Sequence, residues 1–222
     1  MNADTTPRLG TLPVAFPATV AALHRVAEQV IAPARKPDNE IALTATPGGL
    51  GTPVFPYGGV DHQVRVHGAE LVHRAGDEER RAPLTTLEDA RQLVVELVPA
   101  GPLGDTPLDI DPDAAARLAD WYAFGASVLE ELVASTAAPV LWPEHFDIAI
   151  ERDEVNYGFS PGDADHAEPY AYVGPWTAPP PGELWNASGF PGAELTYAEL
   201  QSAPDQREAA LEFFSTRKEA LA

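Results

Sequence analysis

The sequence contains no cysteine, a single methionine, and far fewer basic than acidic residues. Without cysteine the chain cannot form disulfides, thiolate metal sites or a cysteine nucleophile. Apolar stretches such as 93–98 are interrupted by glutamate and are too short to span a bilayer. Residues 1–11 are polar and lack the basic region and apolar run of a secretory signal. We therefore expect a cytoplasmic protein that does not associate with membranes.

The shortage of basic residues gives the chain a formal net charge of −20, from 34 acidic and 14 basic side chains in 222 residues. A negative field of this size repels nucleic acids and anionic membranes, so neither is an expected partner. The same field attracts divalent cations, cationic ligands or a basic protein partner. The alternative is that the acidity only keeps the protein in solution.

One order of elements occurs twice along the chain. A helical stretch, a strand ending in a Pro-Gly turn, a Gly-Ala-Glu-Leu motif and a second helix follow one another in both halves. The turns are at 46–49 and 160–163, and the Gly-Ala-Glu-Leu motifs are at 68–71 and 192–195. This order predicts an α+β fold made of two structurally related helix–strand–strand–helix halves, with mostly antiparallel sheet packed against helices.

The predicted domain boundaries follow from proline and glycine content and from helical periodicity. They are a loose N-terminal tail at 1–13, a first α+β half at 14–98, a Pro/Gly linker at 99–111 and a second α+β half at 112–222. Thr85 with Glu88 has the spacing of a helix capping box, and Thr196 with Glu199 is expected to cap a short turn. The charged run 78–81 is interpreted as a turn, and residues 63–72 as one strand region.

Residues 141–200 differ from the rest of the chain in composition. They hold 10 of the 18 aromatic residues, and 11 acidic residues against one basic residue, Arg152. Aromatic walls with carboxylates suit a pocket for a sugar, a cation or a polar small molecule. The candidate ligand-binding residues are Tyr157, Tyr170, Tyr172, Trp176 and Trp185. The alternative is that these aromatic residues fill the core of a sheet, because aromatic side chains favour strands.

The same segment contains the motifs Leu-Trp-Pro-Glu-His-Phe-Asp at 141–147, Gly-Phe-Ser-Pro-Gly-Asp at 158–163 and Glu-Pro-Tyr at 168–170. With this spacing, residues 139–200 resemble an uncharacterised domain family of unknown function that is frequent in actinobacteria. The resemblance implies a bacterial origin and a shared fold. It implies no activity, so no catalytic residue is assigned from it.

A divalent metal site is also considered in this segment. His145 and Asp147 are two residues apart on a predicted strand and are expected to point to the same face. Asp163, Asp165, His166 and Glu168 crowd the loop after the next strand. The candidate metal ligands are His145, Asp147, Asp163, His166 and Glu168, a mixed set that suits Mn, Fe or Zn better than Ca. The alternative is an acidic, solvated turn.

Three functions remain open from the sequence. The first is binding of a small ligand in the acidic, aromatic second half without chemistry. The second is a metal-assisted hydrolase or lyase that uses His145, Asp147 and the 163–168 loop, and the third is an acidic module that docks a basic partner. Three further histidines, His62, His67 and His73, show no constant spacing and are expected to be surface imidazoles.

Overall fold

The computed structural model describes residues 7–38, 40–133, 138–163 and 166–221. The α-helices in these ranges are α1 (Phe16–Val26), α2 (Leu87–Leu93), α3 (Pro112–Leu132), α4 (Tyr197–Ser202) and α5 (Gln206–Leu221). A π-helical turn (Ala27–Ile31) and a 3-10 helix (Ala32–Asp38) follow α1 directly. The strands are β1 (Thr44–Thr46), β2 (Gly49–Gly51), β3 (Phe55–Tyr57), β4 (Val60–His67), β5 (Glu70–Ala75), β6 (Glu78–Pro83), β7 (Val140–Trp142), β8 (Asp147–Arg152), β9 (Val155–Ser160), β10 (Tyr170–Pro175) and β11 (Ala193–Thr196). Helices with two antiparallel sheets confirm the predicted α+β class.

The chain divides into two compact units. The N-terminal unit comprises residues 12–120 and 141–146, and the C-terminal unit comprises residues 1–11, 121–140 and 147–222. The division therefore falls inside α3 and not in the predicted linker at 99–111. Part of that linker is held within the N-terminal unit, since Leu108 is buried and its N–H donates to the carbonyl of Thr85 at 2.8 Å.

The N-terminal unit contains a six-stranded sheet of order β1-β2-β4-β5-β6, in which β3 also pairs with β4. Gly48, with φ of 79°, turns the chain between β1 and β2, and Gly68, with φ of 60°, turns it between β4 and β5. The region 63–72 is therefore a hairpin and not one strand. Helix α1 and the helical turns that follow it bury one stripe, which consists of Val20, Leu23, Ala27, Val30 and Ile31.

Two local predictions for this unit are corrected by the structure. The charged run 78–81 forms most of β6, an edge strand whose exposed side chains lack the apolar alternation of a half-buried strand. The cap of α2 is one residue later than predicted, because Thr86 has the extended backbone of an N-cap and accepts from the N–H of Asp89 at 3.0 Å. The predicted cap at Thr196 and Glu199 is confirmed, and it forms a capping box at the short helix α4.

The sheet of the C-terminal unit contains β11, β10, β9 and β8 in that order. Aromatic side chains of α3 and α5 cover one face of it: the ring of Phe159 on β9 lies 5.2 Å from Trp121 and 5.4 Å from Phe214. Gly125 allows this packing, because a Cβ at that position would lie 2.9 Å from the Phe159 ring. The apolar core of the unit is therefore on this helix-covered face.

The repeated sequence motifs do not have a repeated local structure. The first Pro-Gly pair forms a two-residue hairpin turn between β1 and β2, whereas Gly162, with φ of 101°, begins the loop that connects β9 to β10. Likewise Gly68 is a hairpin residue, while Gly192 ends the long loop before β11. The two units share an antiparallel sheet with flanking helices, and their turns differ.

Candidate functional site

The face of the C-terminal sheet opposite the aromatic core carries polar side chains. Strand pairing places Gly158 opposite Ala149 and Tyr172, and places Tyr172 opposite Glu194. Because side chains two residues apart on a strand share a face, this row is continued by three further residues. The three further residues are Asp147, Ser160 and Tyr170. We leave out Ala149 and call the remaining residues the polar face; it consists of Asp147, Gly158, Ser160, Tyr170, Tyr172 and Glu194.

Tyr172 crosses the polar face from β10 to β8. Its hydroxyl donates to Oδ2 of Asp147, and its ring passes over Gly158 on the strand between them. A Cβ on Gly158 would lie 2.6 Å from the Tyr172 hydroxyl oxygen, so glycine is required for this arrangement. Asp147 is only 6% exposed, and its carboxylate is therefore held among protein groups.

The buried carboxylate of Asp147 contributes to the raised pKa values of two tyrosines. Burial raises the pKa of Tyr172, and the charge of Asp147 and the hydrogen bond to it raise it further. Burial also raises the pKa of Tyr122 on α3, with a second contribution from the charge of Asp147. Both phenols therefore stay protonated at neutral pH, and Tyr172 serves as a hydrogen-bond donor to the carboxylate.

A second cluster lies where the loop after β9 meets β10 and β11. Oδ1 of Asp163 lies 3.2 Å from Nδ1 of His166 and also accepts from the His166 backbone N–H at 2.8 Å. The hydroxyl of Tyr170 donates to Oδ2 of Asp163 at 2.9 Å. On the other side of the imidazole, Nε2 lies 3.3 Å from Oε1 of Glu194. This second contact is an ion pair when the imidazole is protonated.

Both nitrogens of His166 therefore face carboxylates, which favours the doubly protonated imidazolium. Partial burial lowers the pKa of His166, but the hydrogen bond to Asp163 and the charges of Glu194 and Asp163 outweigh it, so the pKa is raised overall. The ring of Tyr170 lies 4.5 Å from the imidazole. The cluster thus favours a cation between two carboxylates and next to an aromatic ring.

The loop before β11 shapes the border of the polar face. The side chain of Asn186 donates to the carbonyl of Glu194 at 3.0 Å and accepts from its N–H at 2.9 Å, as a neighbouring strand would. The Phe190 ring packs edge-on against Tyr172 at 6.2 Å. Gly192 lets Phe190 approach, because a Cβ there would lie 2.3 Å from the Phe190 ring.

The five candidate ligand-binding aromatic residues have different positions. Tyr170 and Tyr172 lie on the polar face. Tyr157 points to the opposite face, where it is 3% exposed and its ring is 6.0 Å from Phe214, so it is a core residue. Trp176 follows β10 and is 60% exposed, and Trp185 is half-buried in the loop before β11.

The five candidate metal ligands are only partly brought together. His145 is exposed in a turn that precedes β8, and Phe146 beside it has φ of 55°, so the predicted strand position of His145 is wrong. Asp163 and His166 are in contact, whereas Glu168 is exposed. Asp165 lies outside the described residues. Within the described ranges, no three His, Asp or Glu side chains are arranged so that they could hold a metal ion.

Sequence reasoning did not identify Glu194, Asn186 or Phe190 as site residues. Glu194 belongs to the repeated Gly-Ala-Glu-Leu motif. A prediction of residues 193–196 as a strand would have placed Glu194 on the sheet. Cavities of about 210 and 440 Å³ in this unit lie beside the start of α5, and only the larger is lined chiefly by charged side chains. Neither of these two cavities shares a residue with the polar face.

The helices in the described ranges include none with the length and apolar character required to cross a bilayer. No family model, curated protein or solved structure matches this chain. The fold and the polar face therefore describe an acidic α+β protein of two antiparallel units, and its function is argued below from the site alone.

Proposed function

We propose that the polar face and the adjoining loop bind a small ligand that carries an ammonium or guanidinium group, without covalent chemistry. The observation that carries this proposal is the gathering of Asp147, Asp163 and Glu194 among tyrosine rings. His166 is the cation that already lies between two of these carboxylates.

The charges of the loop cluster leave room for a further cation. With Asp163 and Glu194 ionised and His166 protonated, the cluster keeps one net negative charge. The side chain of Asp163 is 45% exposed, so an approaching ligand can reach it, whereas that of Glu194 is 13% exposed and forms the inner wall. A cation in this position also gains from the face of Tyr170. The overall charge of −20 raises the local concentration of cations at the surface.

The proposal is tested by calorimetric titration with a diamine, 1,4-diaminobutane, and with its neutral counterpart 1,4-butanediol, in the presence of a chelator. We expect the diamine to bind and the diol not to bind, because only the diamine offers a charge-assisted hydrogen bond. Binding that requires an added divalent metal would favour the metal-assisted alternative.

Matched variants locate the site. Glu194→Gln and Asp163→Asn each replace a charge-assisted contact worth about 1.5–3 kcal/mol, which corresponds to a loss of about tenfold or more in affinity. Asp153→Asn is the control: it removes the same charge from an 83% exposed side chain of the same unit, and asparagine tolerates its φ of 55°. An equal loss in all three variants would show a general charge effect, and the proposed site would be wrong.

A further inference from the structure

Two histidines of the N-terminal unit form a buried pair. His62 on β4 and His73 on β5 are 8% and 1% exposed, and Nδ1 of His62 lies 3.0 Å from Nε2 of His73. The expectation of surface imidazoles is therefore wrong for these two residues and correct for the exposed His67. The hairpin turn at Gly68 places His73 opposite Val64, so His62 and His73 are diagonal neighbours on one face.

The surroundings of the pair fix its protons. Nη2 of Arg80 on β6 lies 2.8 Å from Nδ1 of His73, and a guanidinium can only donate. Nδ1 of His73 is therefore an acceptor without a proton, and the proton of the neutral ring is on Nε2. That proton is donated to Nδ1 of His62, whose own proton is then on Nε2. The contact with Arg80 thus favours this tautomer in both rings.

The groups that face the pair come from three sides. Phe55 and Tyr57 of β3 each have their ring centroid 5.9 Å from that of His62. Beyond β5, Arg80 also binds Glu96, which follows α2, through a hydrogen bond of 2.5 Å. Oε1 of Glu96 lies 3.7 Å from Nδ1 of His73. The backbone carbonyl of Leu93 at the end of α2 is a further acceptor beside the ring.

We propose that this histidine pair is a pH-sensitive switch that holds the edge of the N-terminal sheet while it is neutral. A proton on Nδ1 of His73 would point at the N–H of Arg80, so Arg80 must withdraw. Glu96 and the carbonyl of Leu93 are then the available acceptors for the new N–H. Protonation therefore exchanges the contact between β5 and β6 for a contact between β5 and the segment after α2.

The electrostatics give the direction of the switch. Burial lowers the pKa of His73, and the charges of Arg80 and His62 lower it further, while Glu96 and the carbonyl of Leu93 oppose the shift. A histidine with a lowered folded pKa contributes stability that is fully present above its unfolded pKa, near 6.5. That stability is lost as the pH falls through the folded pKa. The switch therefore operates below neutral pH.

The proton positions are tested on the unmodified protein by NMR with ¹⁵N-labelled histidine. At pH 8 we expect His73 to carry its proton on Nε2 and His62 to carry its proton on Nε2. On acidification, the amide signals of β6 and of residues 93–98 should move with the same midpoint as His73, below the unfolded pKa of a histidine, near 6.5. The proposal would be overturned if neutral His73 carried its proton on Nδ1. It would also be overturned if the amide signals of β6 did not change as His73 titrates.

Two variants on one strand test the role of Arg80. Arg80→Gln removes a charge that opposes protonation, and we expect the His73 titration to move to higher pH. Arg81→Gln is the matched control, because the Arg81 side chain binds Glu79. In this variant His73 should titrate as it does in the unmodified protein. Both arginines are partly exposed, so both variants are expected to fold. The same shift in both variants would contradict the switch.

Discussion

At the scale of single residues, the polar face depends on a side chain that is missing. Gly158 is the position where the ring of Tyr172 crosses β9 to reach Asp147, and a methyl group there would collide with the tyrosine. The sequence predicted the strand and its aromatic residues. It could not show that a glycine in this strand makes room for the ring of a tyrosine on the neighbouring strand, because this contact depends on strand register.

We expect Gly158→Ala to destabilise the C-terminal unit by about 1–3 kcal/mol, the range for overpacking a tight site. The new methyl group would displace Tyr172 and break its hydrogen bond to Asp147. Chemical denaturation measures the loss. Gly182→Ala is the control, because nothing lies within 4 Å of a Cβ there, and it should change stability by less than about 0.5 kcal/mol. Equal effects of the two substitutions would show that Tyr172 does not depend on Gly158.

At the scale of elements, local signals were reliable and long-range partners were not. The predicted cap at Thr196 and Glu199 is confirmed because both residues belong to one helical turn. The cap of α2 was misplaced by one residue, since Thr85 and Thr86 are both suitable caps and only backbone geometry distinguishes them. The pairing of His166 with Glu194 joins the loop after β9 to β11, and no local pattern encodes it.

The loop between β9 and β10 should lose stability as the pH rises. The pKa of His166 is raised in the fold, so its ion pairs contribute stability that is fully present below the unfolded pKa near 6.5 and lost as the pH rises through the folded pKa. Denaturation midpoints measured from pH 6.5 to pH 9 should fall for the unmodified protein and stay level for His166→Gln.

The control for this pH dependence is His145→Gln, which removes an exposed histidine and should retain the fall. The His73 switch acts below pH 6.5, so the two effects are separated by comparing midpoints above that pH. A midpoint that rises between pH 6.5 and pH 9 would contradict the assignment of His166 as an imidazolium between carboxylates.

At the scale of the whole molecule, composition predicted the α+β class but not the division of the chain. The proline- and glycine-rich segment at 99–111 has the composition of a linker, yet the units divide inside α3, between Asp120 and Trp121. The periodicity of α3 is continuous across this point, so the sequence gives no sign of the division there. The acid excess, in contrast, is a property of the whole chain that can be read directly from the sequence.

The net charge of −20 should make the fold sensitive to ionic strength. Like charges repel in the compact state, and salt screens this repulsion with a Debye length that falls from about 30 Å at 0.01 M to about 8 Å at 0.15 M. We therefore expect the urea midpoint to rise when NaCl is increased from about 0.01 to 0.15 M, the range over which this screening length changes most. Sucrose at matched osmolality is the control for effects other than screening. A midpoint that falls with NaCl would mean that attractive ion pairs, such as those of His166 and Arg80, outweigh the repulsion among the acidic residues.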